Sequence, residues 1–174
     1  MAHIKPLRGI TPTFGQRCFL ADNATVIGDV ILGDDCSVWF NTVIRGDVNY
    51  IRIGNSVNIQ DGAVIHCNYR DSVVIIEDNV SIGHNAIVHG AHIGENVLIG
   101  MGAIIMDHAR VGENCIIAAG TIITKNTIIE SGSVFGGTPG SLIRKQKPEE
   151  LRRLTKRSAE HYKMYVKWYW EGEE

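Results

Sequence analysis

Aliphatic residues return every six positions along most of this chain. From Leu20 the series runs Val26, Leu32, Val38, Ile44; it restarts as Ile53, Ile59, Ile65, then Ile76, Ile82, Val88. A last run goes from Ile93 through Ile99, Ile105, Val111, Ile117, Ile123 and Ile129 to Phe135. Two places before each of these sits a small or β-branched residue, such as Ala24, Cys36, Ala63, Ala86, Ala103 or Thr121. A period of six is neither the 3.6 of a helix nor the 2.0 of a simple strand. It describes a short strand followed by a corner, and three such units close a triangular coil of about 18 residues. The aliphatic side chain and the small one before it both point inward, with Gly and Asn supplying the unusual corner angles. The spacing predicts an all-β parallel β-helix over about 14–141, with roughly seven coils and a length near 33 Å.

The period breaks three times. Three extra residues fall between Ile44 and Ile53, the step from Ile65 to Ile76 is eleven, and that from Val88 to Ile93 is five. Loops are expected to leave the prism at such breaks, with Asn68–Ser72 as one of them, and loops commonly carry function. Beyond Pro139 the pattern changes. Pro148 followed by Glu149 and Glu150 reads as a helix start. Leu151, Leu154, Tyr162, Tyr165 and Trp168/Tyr169 form one stripe expected to pack on the prism. The organisation read from the chain is therefore 1–141 as β-helix and 142–174 as a helical C-terminal extension.

Composition narrows the function classes. The chain of 174 residues carries a formal net charge of −2, so bulk charge points to neither nucleic acid nor an anionic membrane. No apolar run is long enough for a transmembrane helix. Lys5 and Arg8 have no apolar stretch behind them, so the start does not read as a signal peptide, and a cytoplasmic protein is expected. Cys18, Cys36, Cys67 and Cys115 lack CxxC spacing, which fits free thiols in a reducing compartment.

Three of the seven histidines lie close to the breaks. His66, His84 and His89 each follow an inward aliphatic residue by one or two positions, so each is expected to point out of the prism wall. Alone, each reads most simply as a surface or hydrogen-bonded residue. Together, beside Gln60 and Asp61, they match the three imidazoles of an open zinc site. The five-residue spacing of His84 and His89 is not the helical HExxH arrangement.

The stretches RGD at Arg45–Asp47, IQDGAVIH at Ile59–His66 and SIGHNAIVHG at Ser81–Gly90 resemble the gamma-class carbonic anhydrases and their bacterial relatives. The resemblance covers nearly the whole chain, and this combination is specific where the hexapeptide repeat alone is shared by many acyltransferases. It implies a left-handed coil and a homotrimer with a metal site at each subunit interface. His66 and His89 of one subunit and His84 of the next would bind zinc, with iron(II) or cobalt(II) as alternatives. The implied reaction is reversible hydration of carbon dioxide to bicarbonate by a zinc-bound hydroxide. Gln60 would hydrogen-bond that hydroxide; Arg45, Asp47 and Asp61 would form an ion-pair network orienting the site; the Tyr162 hydroxyl would reach toward the metal. The chain departs from the pattern where the prototype carries a proton-transferring glutamate after the RGD aspartate: here stand Val48 and Asn49, and Asp71 is the one acid of the short following loop. Rival readings on the same fold are an acyl-CoA-dependent acetyltransferase using His108, a thioesterase, and a non-catalytic metal-binding assembly subunit.

Overall fold

The structure, a computed structural model, describes residues 1–145 and 147–171. The chain winds as a left-handed parallel β-helix of about seven turns, followed by a single helix, Pro148–Glu171. Most strands hold two or three residues, the length one flat wall allows between corners. Strands stack in parallel on their counterparts one coil away, so Ile87 pairs with both Val64 and Ile104. The sequence breaks reappear as changes of coil length: residues joined across neighbouring coils are 18 apart for Asn23–Asn41, 21 for Asp34–Asn55 and 23 for Asn58–Ser81.

The repeat residues form the core. Val38, Ile59, Ile82, Ile99 and Ile117 stack behind one wall. Ile44, Ile65, Val88, Ile105 and Ile123 stack behind the second. Ile53, Ile76, Ile93, Val111 and Ile129 stack behind the third. Ala63, Ala86 and Ala103, fully buried, fill the narrow space before the second wall. Truncating any central isoleucine to alanine removes about 2–5 kcal/mol of stability in such close packing. Corners are taken by residues in the left-handed region, including Asn79, Asn85, Asn96, Asn114 and Asn126, whose short polar side chains tolerate that backbone.

Two expectations are corrected. The break between Ile44 and Ile53 releases no loop: Val43–Ile53 is one continuous strand that bends across a corner beside Thr25–Leu32. Gly28 and Gly46 make this possible, since a Cβ on either would strike the other strand's backbone. The helix also packs through only part of the expected stripe. Leu154 and Trp168 are 50% and 59% exposed, whereas Thr155 and Val166 are buried and Tyr162 and Tyr165 partly so. The Tyr169 ring does reach the prism, against Phe19, Trp39 and Phe40, and Ser158 bonds Ser81 at 3.0 Å. The side chain of Leu151 lies outside the described residues. Residues ahead of the first repeat also join the fold, as His3–Lys5 adds a strand to Thr25–Ile27.

The three walls differ outside. The helix covers the first. The second presents a row of Val43, Val64, Ile87, Ile104 and Ile122, in register and half-buried. The third alternates Ile31, Arg52, Ile75, His92, Arg110 and Ile128.

Candidate metal centre

The candidate residues fall on the two edges of the second wall. His66 and His89 end the strands Val64–His66 and Ile87–His89, which pair in register. Their rings meet, His66 Nδ1 standing 3.2 Å from His89 Nε2. The outer nitrogen of each ring lies against a carboxylate: His66 Nε2 is 3.0 Å from Asp47 Oδ1, and His89 Nδ1 is 3.0 Å from Asp107 Oδ1. Arg45 donates to the second Asp47 oxygen at 2.6 Å.

The opposite edge carries the other group. Asp61 and His84 occupy corners of successive coils, with His84 Nδ1 2.9 Å from Asp61 Oδ2. Gln60, 7% exposed, donates from Nε2 to Asn58 Oδ1 at 3.0 Å, and Asn58 donates to Ser81. Tyr162, on the helix, makes a T-shaped ring contact with Trp39. Among the described residues, no three His, Cys, Asp or Glu side chains of a single chain converge as a metal site. The sequence reading is thus divided by the fold into Arg45, Asp47, His66 and His89 on one edge, and Gln60, Asp61, His84 and Tyr162 on the other.

Electrostatics follow this division. Burial lowers the His66 pKa, against the opposing hydrogen bond to Asp47. Burial pushes Asp47 upward, but bonds from Arg45 and His66 outweigh it and hold the carboxyl below its ordinary range. Asp107 behaves alike: burial raises it, and Ser72 and His89 more than compensate. Burial, with the Asp61 charge adding to it, pushes the Tyr162 hydroxyl up to about 12, so it stays protonated at neutral pH.

A donor set of this kind fits a divalent cation. With each outer nitrogen donating its proton to a carboxylate, the two facing nitrogens carry lone pairs directed into one space. Two imidazoles and one more donor match what zinc accepts while leaving a position open. Asp107 was missed by the sequence reading. The remaining histidines take other partners, His92 on Glu77 at 2.7 Å and His108 on Asp71 at 3.2 Å.

A prism of hexapeptide coils with outward imidazoles on one wall defines a class of protein, the hexapeptide-repeat β-helices. The family model for the bacterial transferase hexapeptide (six repeats) matches residues 11–46 and 90–125. The chain is 44% identical over 151 residues to a carbonic anhydrase of Geobacillus kaustophilus, covering 87% of this chain and 82% of that protein. It is 40% identical over 156 residues to the mitochondrial gamma carbonic anhydrase 1 of Arabidopsis thaliana, covering 87% of this chain and 56% of that one. A solved hexapeptide transferase family protein from Anaplasma phagocytophilum superposes with a TM-score of 0.89 at 38% identity, covering 96% of this chain and 98% of that one. The chain belongs to the hexapeptide-repeat family, in its gamma-carbonic-anhydrase-like branch. No helix among the described residues is long and apolar enough to cross a membrane.

Proposed function

We propose that this protein catalyses reversible hydration of carbon dioxide to bicarbonate at a metal site shared between subunits of a homotrimer. The observation that carries the reading is the His66–His89 pair, two ring nitrogens 3.2 Å apart with a carboxylate behind each ring. His66 and His89 of one subunit would hold the ion with His84 of the next, and zinc suits three imidazoles, as iron(II) or cobalt(II) also would. When bound, zinc supplies the Lewis acidity that brings the pKa of water to about 7.

The chain's own residues supply the rest. Asp61 at His84 Nδ1 leaves Nε2 as that ring's coordinating nitrogen. Arg45 holds Asp47, and Asp47 holds His66. Because Gln60 Nε2 donates to Asn58, its Oε1 is left to accept a hydrogen bond from the attacking water or hydroxide and so fix its direction. The Tyr162 hydroxyl, protonated at neutral pH, serves as a donor facing the same edge.

A subunit interface is supported by the wall between the two edges. Its row of Val43, Val64, Ile87, Ile104 and Ile122, with Met101 and Met106 at 57% and 39% exposure, is an apolar face suited to a second copy. Two different edges meeting across it make a head-to-tail contact, which closes as a ring under rotational symmetry.

Stopped-flow hydration of carbon dioxide, with zinc-loaded and iron-loaded protein, tests the reading. A rate above buffer that disappears on chelation is expected. Full metal occupancy with no rate in either form would leave a non-catalytic assembly role, and turnover of acetyl-CoA or another thioester instead would favour the transferase or thioesterase readings.

A further inference from the structure

We propose that Asp107 is a positioning residue of the metal site, holding His89 in the Nδ1–H tautomer so that Nε2 presents its lone pair beside His66. This rests on the shared-metal reading above. Asp107 lies one coil beyond His89, and its Oδ1 is 3.0 Å from His89 Nδ1. The same oxygen accepts from Ser72 Oγ at 2.7 Å and Asn68 Nδ2 at 3.0 Å. Asn68 N donates to Ser72 Oγ at 3.0 Å, and Asn49 Nδ2 donates to Ser72 O at 3.0 Å, so the loop 68–72 is itself pinned where it meets Asp107. Three donors on one carboxylate oxygen require the ionised acceptor and fix its position.

Gly90 makes room for the arrangement. It follows His89 with φ +59°, and a Cβ there would collide with both Asp107 Oδ1 and Ser72 Oγ. The carboxylate thus lies over a glycine to reach the ring. The device mirrors Asp47 on His66, and together the two carboxylates set both facing nitrogens as acceptors. A carboxylate behind a ligating imidazole fixes its orientation and raises its basicity, and its removal commonly weakens metal binding about 10–100-fold.

The test is made on the full chain, with zinc affinity from chelator competition and histidine tautomers from nitrogen-15 NMR of metal-free protein at about pH 8, where imidazoles are neutral. Asp107→Ala is expected to weaken zinc about 10–100-fold and shift His89 toward the Nε2–H tautomer. Asp107→Asn, which keeps the shape and a weaker acceptor, is expected to lose several-fold. Glu77→Gln, on the third wall, is expected to bind as wild type. Wild-type affinity and an unchanged His89 tautomer in Asp107→Ala would overturn the inference; should that variant not fold, wild-type affinity in Asp107→Asn would do so. A wild-type protein that takes up none of zinc, iron(II) and cobalt(II) would sink the metal reading instead, while the His89 tautomer in metal-free protein would still decide the role of Asp107.

Discussion

Asp61 Oδ2 lies 2.9 Å from His84 Nδ1, on the edge of the second wall opposite the His66–His89 pair. One chain therefore offers two donors at one edge and a third, separately oriented, at the other. Under the shared-site reading, His84→Ala should lose metal as completely as His66→Ala or His89→Ala. Metal analysis of purified trimers checks this: full zinc occupancy in His84→Ala would refute a site spanning two subunits.

Gly90→Ala is expected to be costly for two reasons. The residue adopts a positive φ, and its new methyl group would displace Asp107 and Ser72 from their positions. A loss of about 1–3 kcal/mol from backbone strain should accompany weaker zinc binding. Denaturant melts and chelator competition measure the two effects, and wild-type values in both would show that the loop accommodates the methyl without cost.

Acid should weaken the metal-free protein in two stages. The His66 pKa is depressed by burial, so the unfolded chain takes up a proton near pH 6.5 that the native chain resists. Stability then falls as pH drops through about 6.5 and levels off once native His66 titrates. Asp47 and Asp107 are held below the ordinary carboxylate range, so their contribution is complete above about pH 4 and is lost as pH falls through their native values. Thermal melts against pH should show both declines, and His66→Gln should remove the first; a decline of the same size in that variant would assign it elsewhere.

His108 sits at a corner with φ +60°, in the place that Asn126 fills one coil on. His108→Asn should be neutral or stabilising by up to about 1 kcal/mol, because asparagine tolerates the left-handed region with less strain. Carbon dioxide hydration should persist in this variant. A rate abolished by the substitution would make His108 part of the catalytic machinery.

The inward half of the fold was legible because it obeys one arithmetic. Ile59, Ile82 and Ile99 must be apolar and about equal in size to stack, so the period survives in the letters. Outward residues obey no such rule; His66, Gln60 and His84 stand out by their clustering, and their roles are what the resemblance implies. Asp107 escaped notice because its partner lies 18 residues away. One coil added to His89 would have pointed to it. The break after Ile44 was misread as a loop because extra residues can also be absorbed by an extended strand that bends, provided two glycines let the backbones approach. The helix stripe holds at Tyr162, Tyr165 and Tyr169, whose rings pack inward, and fails at Leu154 and Trp168, because apolar residues occur all round this helix and spacing alone does not choose among them.

Under the shared-site reading, the separation of Gln60, Asp61 and His84 from His66 and His89 by the width of one wall has a genetic consequence. Two chains, each inactive alone, can complement each other when their lesions lie at different edges. Mixing His84→Ala with His66→Ala subunits during refolding would join an undamaged edge of one to an undamaged edge of the other, giving each hybrid ring a working junction. Two lesions on the same edge, such as His66→Ala with His89→Ala, would never do so, and the contrast between the two mixtures reads out directly how the subunits divide the labour.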